Sequence, residues 1–106
     1  MIRHIVMWKL KEHAEDADRA ANLLKMKALL ESCADLVPGM LHWRIAAAQP
    51  GLEATCDIVL DSTFASQAAL DAYQAHPEHV AMKPFIGAIR AERHCMDFEI
   101  PDTAMR

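Results

Sequence analysis

The chain has 106 residues, of which 53% are hydrophobic and 25% charged, and its formal net charge is −4. This length suits one small domain, and the negative charge without a basic, aromatic-interleaved stripe argues against a nucleic-acid partner. No apolar run reaches the roughly 18 residues that span a bilayer, no signal-peptide pattern opens the chain, and the three cysteines are widely spaced, so we expect a cytoplasmic protein without a membrane partner.

Hydrophobic patterning predicts a strand followed by a long helix. Residues 2–10 alternate and carry large apolar groups on both faces of the predicted strand. Apolar residues three and four apart then predict a helix over residues 15–36. The acidic residues Glu15, Asp16 and Asp18 suit the positive end of the helix dipole.

Two further strands are predicted in the middle of the chain, over residues 40–48 and 54–63, with a turn at 49–51. Ser66 is a typical N-cap and predicts a helix over residues 67–75.

The sequence HPEH opens another helical segment. Pro77 suits the first helical position because it has no N–H to leave unpaired, and His76 then occupies the cap position. A last strand is predicted over residues 91–100. We expect a single domain over residues 1–101 and a polar C-terminal tail over residues 102–106.

The order of elements is β-α-β-β-α-β, which predicts an α+β, ferredoxin-like fold with an antiparallel four-stranded sheet. In that topology the helices cover one face of the sheet and leave the other bare. Both faces of the first strand are apolar, and burying each large aliphatic side chain contributes about 1.5–3 kcal/mol. We therefore predict a homodimer in which two copies pack sheet to sheet.

Three stretches of the sequence resemble the stress-responsive α/β-barrel (Dabb) family: MIRHIVMWKLK, LDAYQAHPEHV and MDFE. The most specific is the run Tyr-x-x-His-Pro-x-His-Val, matched by Tyr73, His76, Pro77, His79 and Val80. The resemblance covers roughly residues 1–100. It implies a homodimer whose two sheets close into an α+β barrel.

The resemblance also implies a site. In a plant polyketide cyclase of this family, which performs an aldol condensation, a Tyr and a His of this run form the catalytic pair. By position the implied catalytic residues are Tyr73 and His79, and the implied substrate-binding residues are His4, Val6, Trp8 and Leu60. Trp8 is bulkier than the leucine of the cyclase, and the first helix lacks its aromatics, which argues against a long polyketide substrate.

The residue chemistry agrees with such a role. His79 lies in the opening turn of a helix, where the dipole and burial lower the pKa of an imidazole. A neutral imidazole is a competent general base at pH 7, and a phenol such as Tyr73 can donate to a developing oxyanion.

Two other interpretations of these residues stay open. Tyr73 and His79 can serve packing and helix capping alone. His76 and His79, with Glu78 or Asp57, offer donor atoms for zinc, but Pro77 fixes the backbone between the histidines and no third ligand has a recognised spacing, so we expect no metal and no cofactor.

Three functions follow as hypotheses. The first is binding, with conversion, of a small hydrophobic carbonyl compound, with His79 as base and Tyr73 as donor. The second is a non-catalytic, stress-responsive homodimer. The third is a cofactor-independent monooxygenase, which needs a large aromatic-lined cavity that six Phe, Trp and Tyr residues support thinly.

Overall fold

The computed structural model describes residues 1–102, within which nine elements follow one another along the chain. They are β1 (Ile2–Leu10), β2 (His13–Ala14), β3 (Ala17–Asp18), α1 (Arg19–Glu31), β4 (Met40–Ala47), β5 (Ile58–Phe64), α2 (Gln67–Ala75), α3 (Pro77–Ile89) and β6 (Arg90–Glu99). Four strands form an antiparallel sheet in the order β4-β5-β1-β6, and β2 and β3 form a separate small hairpin. The predicted ferredoxin-like α+β fold is confirmed.

The alternation of β1 decides which side chains face the helices. Its even-numbered residues, from Ile2 to Leu10, are buried, whereas Arg3, Ile5, Met7 and Lys9 point to the open face. Cross-strand partners in an antiparallel pair share a face, so the register carries this division to the neighbouring strands. Opposite His4, for example, lie Ser62 of β5 and Asp97 of β6.

The core lies between the helix-facing side of the sheet and the three helices. Its buried hydrophobic residues come from most of the main elements: Ile2, Val6, Trp8, Leu10, Met26, Leu30, Cys33, Ile58, Leu60, Phe64, Leu70, Tyr73, Met82, Ile86 and Ile89. Burial of these side chains is the main stabilising term of the fold.

The helix predicted over residues 15–36 is wrong at both ends. Glu15 and Asp16 have positive φ angles of 53° and 58° and form the turn of the β2–β3 hairpin, so they do not join a helix dipole. Asp18 caps the helix instead, its carboxylate accepting from the backbone N–H of Ala21 at 2.8 Å. At the other end the α-helix ends at Glu31, and the chain after it forms tight turns.

The remaining boundaries differ less. β5 begins at Ile58, four residues later than predicted, and the carboxylate of Asp57 accepts from the backbone N–H of Leu10 at 2.7 Å. The helix over residues 67–75 and its Ser66 cap are confirmed. Beyond Asp102, the predicted polar tail lies outside the described residues.

The HPEH segment starts a full helix. Pro77 is its first residue, and Nδ1 of His76 accepts from the backbone N–H of Glu78 at 3.1 Å, which confirms His76 as the cap. His76 has an extended backbone, with φ −63° and ψ 136°, so the chain breaks there and Tyr73 and His79 lie on either side of the break.

The open face of the sheet carries exposed apolar side chains. Met7, Met96 and Phe98 are the large exposed hydrophobic residues there, and Ile5 lies opposite Met96. Beside them Arg3 forms a two-point ion pair with Asp61, at 2.8 and 2.9 Å. The prediction that this face is not wholly polar is confirmed.

Candidate functional site

A cavity of about 420 Å³ lies between the helix-facing side of the sheet and α3. This volume falls within the range of small-molecule sites. All six residues predicted to form a site line it: His4, Val6, Trp8, Leu60, Tyr73 and His79.

Tyr73 and His79 meet across the bend between α2 and α3. Their ring centroids are 4.6 Å apart with an interplanar angle of 57°. Tyr73 lies near the end of α2 and packs against Trp43 and Phe64, with centroid distances of 5.3 and 5.4 Å. Aromatic neighbours at these distances hold the phenol ring in one place.

The hydrogen bonding of His79 fixes its tautomer. Nδ1 lies 3.0 Å from the backbone carbonyl of Gln74, and a carbonyl only accepts, so Nδ1 carries the proton. Nε2 is then left with a free lone pair. Burial lowers the pKa of His79, opposed by the Gln74 hydrogen bond and assisted by the positive charges of Lys83 and Arg93. The neutral imidazole of a general base is therefore favoured at pH 7.

The hydroxyl of Tyr73 is available to donate a hydrogen bond to a ligand. Burial raises the pKa of this phenol, so it keeps its proton across the physiological range. No other group in residues 1–102 forms a hydrogen bond with it. A protonated phenol beside a neutral imidazole can polarise a carbonyl oxygen while the imidazole takes a proton.

His4 is the third polar group of the cavity. Its Nδ1 donates to Oδ1 of Asp97 at 2.5 Å, because a carboxylate of a histidine pair accepts the N–H. His4 itself is buried. The remaining ring nitrogen, Nε2, is the atom left to meet a ligand, and the carboxylate fixes the ring orientation.

Val6, Leu60 and Trp8 form an apolar part of the cavity wall. Val6 and Leu60 are buried and make no polar contact through their side chains. Trp8 is 5% exposed, and its indole N–H is sealed from solvent without a hydrogen-bond partner in the described part of the chain. A buried unpaired donor is costly, and native structures usually provide a partner.

One edge of the cavity is cationic. Lys83 of α3, Arg90 at the α3–β6 junction and Arg93 of β6 all line it. No acidic side chain within residues 1–102 joins them in the lining.

The metal interpretation finds no geometric support in the described chain. No group of three or more His, Cys, Asp and Glu side chains within residues 1–102 could hold an ion. His76 caps α3 and Asp57 binds a backbone N–H, so both have other partners. No helix in this part of the molecule is long and apolar enough to cross a membrane.

The sequence predicted six residues of the cavity lining, but it did not predict Asp97, Lys83, Arg90 or Arg93. Asp97 becomes visible once the register of β1 and β6 places it opposite His4. Lys83 and Arg90 lie four and eleven residues after His79, a helical spacing that puts all three on one side of α3 and its end. Arg93 needs the strand register as well.

The comparisons with known proteins agree with this architecture. The family description "Stress responsive A/B Barrel Domain" (Dabb) matches residues 2–100. No curated protein matches the chain significantly.

Several solved structures share the fold. A dimeric ferredoxin-like protein of unknown function from Thermobifida fusca has a TM-score of 0.80 at 20% identity, over 93% of this chain and 90% of that one. A dimeric protein of unknown function from Bacteroides fragilis is 27% identical, with a TM-score of 0.72 over 93% and 95% of the two chains. A hydroxynitrile lyase from Passiflora edulis has a TM-score of 0.72 at 20% identity, over 95% and 94%.

Proposed function

The chain belongs to the stress-responsive A/B barrel domain (Dabb) family, and we propose that it acts as a homodimer whose cavity binds and converts a small hydrophobic carbonyl compound. The observation that carries the proposal is the convergence of an unpaired phenol, an imidazole with a free Nε2 and a carboxylate-fixed histidine on one cavity that Val6 and Leu60 also line.

In the proposed reaction His79 is the general base. Nε2 takes a proton from the carbon next to the substrate carbonyl, and the C–H electron pair forms the carbon–carbon double bond of an enolate. The carbonyl π pair moves to oxygen, where the Tyr73 hydroxyl donates a hydrogen bond to the developing charge. The enolate carbon then attacks a second carbonyl carbon, whose π pair moves to its oxygen and takes the proton from Nε2 of His79, or the enolate takes that proton back itself.

His4 and the apolar walls position the substrate in this scheme. Asp97 holds the His4 ring, so Nε2 is presented in a fixed direction. The buried side chains of Val6, Trp8 and Leu60 offer apolar contacts to the hydrophobic part of the substrate.

The homodimer rests on the open sheet face. Met7, Met96 and Phe98 are exposed there, and burying them against a second copy would supply an apolar interface. Structural neighbours described as dimeric support the same assembly. The non-catalytic dimer and the cofactor-independent monooxygenase stay predictions, and no contact of the described residues favours either.

Exchange of α-hydrogens for deuterium tests the proposal without knowledge of the natural product. The probes are acetophenone and 4-oxo-4-phenylbutanoate, followed by NMR in deuterated water. We expect the wild-type chain to accelerate exchange and His79→Gln to lose about 10²-fold of that acceleration, the lower range for a positioned base.

The matched control is His76→Asn. It removes an imidazole three residues away that caps α3 and does not line the cavity, and asparagine preserves the cap. This variant should exchange at the wild-type rate. Equal rates for His79→Gln and the wild type would overturn the proposed role of His79.

A further inference from the structure

The cavity described above is lined by cations that lack counter-ions. Lys83, Arg90 and Arg93 each line it, and none of them forms an ion pair with a carboxylate in residues 1–102. Within residues 1–102, Lys11 and Arg44 also lack an ion pair, so what distinguishes the three cations is that they line one concave site whose lining holds no carboxylate. Unpaired cations around a concave site attract anions and raise their local concentration.

The strand register gives the cavity two distinct ends. Asp97 lies opposite His4 on β6, and Arg93 lies opposite Trp8. Four residues separate these two levels along β1, about 13 Å by strand rise. His4 thus lies towards one end and Arg93 towards the other, with Val6 on the wall between them, while Lys83 lies one helical turn along α3 from His79.

Trp8 forms an apolar part of the cavity wall. Its side chain is more than nine-tenths buried, lines the cavity at the level of Arg93, and carries an unpartnered N–H. Because the indole nitrogen is sealed from solvent, Trp8 lines the cavity through the carbon atoms of its ring, beside Arg93, whose Nη1 donates to Sγ of Cys95 at 3.4 Å.

We propose that the ligand of this cavity is an oxo acid: its carbonyl lies at Tyr73 and His79, and its carboxylate lies at Lys83, Arg90 and Arg93. An apolar segment of the ligand fills the space between the two groups. This inference rests on the proposed function and names its substrate class. Arginine is suited to the anionic group because its planar fork matches the two oxygens of a carboxylate.

The test compares two probes that differ in one charge, 4-oxo-4-phenylbutanoate and its methyl ester. Dissociation constants are measured by calorimetric titration of the full chain. We expect the carboxylate to bind the wild type at least about tenfold more tightly than the ester, the lower value for hydrogen bonds to a charged group. Added salt should weaken the binding of the carboxylate probe and leave the binding of the ester unchanged.

Two variants localise the effect. Arg93→Gln and Lys83→Gln should each raise the dissociation constant of the carboxylate probe by about tenfold and leave that of the ester unchanged. Both side chains are exposed, so their loss should not prevent folding. The matched control is Lys27→Gln, which removes an equal charge from a lysine of α1 that does not line the cavity.

The outcomes separate this inference from the proposed function. Equal affinity for acid and ester, or carboxylate binding that ignores Arg93 and Lys83, overturns the oxo acid assignment, as does binding of neither probe at millimolar concentration. Charge-selective binding without any deuterium exchange supports the ligand class and contradicts the reaction.

Discussion

Tyr73→Phe removes a single hydroxyl from a ring that packs against Trp43, Phe64 and His79. A structural hydroxyl contributes about 0.5–1.5 kcal/mol through its hydrogen bond, but this one has no partner among residues 1–102. We therefore expect the free energy of unfolding to change by less than about 0.5 kcal/mol. Tyr73→Ala, which removes the ring, should cost about 3–5 kcal/mol, a large part of a domain's stability.

The same substitution should have a large chemical effect. Loss of one donor to a developing oxyanion lowers rates by about 10²–10³-fold, so deuterium exchange should fall by that factor in Tyr73→Phe. Thermal unfolding of both variants and exchange rates on the same samples give the two quantities together. A loss of about 1 kcal/mol or more with exchange unchanged would show that the hydroxyl is structural, and the assigned role of Tyr73 would be wrong.

Three further predictions concern pH, a glycine and the open face. Burial lowers the pKa of His79 below its ordinary value of 6.5, so the deuterium-exchange rate should be constant at neutral pH and fall as the pH drops through the lowered pKa. Between pH 6.5 and the lowered pKa the unfolded chain binds more protons than the folded chain, so the free energy of unfolding should also decline with falling pH. His79→Gln should remove both effects. Gly87 lies inside α3 with nothing within 4 Å of an added Cβ, so Gly87→Ala should raise the free energy of unfolding by about 0.8–1 kcal/mol in chemical denaturation, whereas a loss would show that the glycine is needed for packing. Met96→Lys places a charge on the open sheet face and should shift the chain towards monomer in sedimentation, whereas Leu24→Lys, on α1 and 71% exposed, should not; identical sedimentation of the two would contradict a dimer through this face.

The sequence predicted those parts of the fold that depend on residues close together in the chain. β1 alternates cleanly, Ser66 is a strong cap, and Pro77 forces a new helix after His76, so these elements were predicted near their true bounds. The hairpin at residues 13–18 was not, because its turn places Glu15 and Asp16 at positive φ, which acidic residues adopt less often than glycine or asparagine.

In the candidate site, too, some residues could be predicted from the sequence and others could not. The family resemblance pointed to Tyr73 and His79, and the structure places both on one cavity, although their chemical roles stay predictions. Asp97 and Arg93 could not be found from spacing, because their position depends on how β6 pairs with β1. A shift of that register by one residue would turn both side chains to the open face.

A crystal structure of the protein with 4-oxo-4-phenylbutanoate tests the assigned cavity most directly. We predict that the ketone oxygen lies about 3 Å from the Tyr73 hydroxyl, that the neighbouring carbon faces Nε2 of His79, and that the carboxylate contacts Arg93 or Lys83. Density for the probe on another surface, with the cavity holding water between Tyr73 and His79, would contradict it.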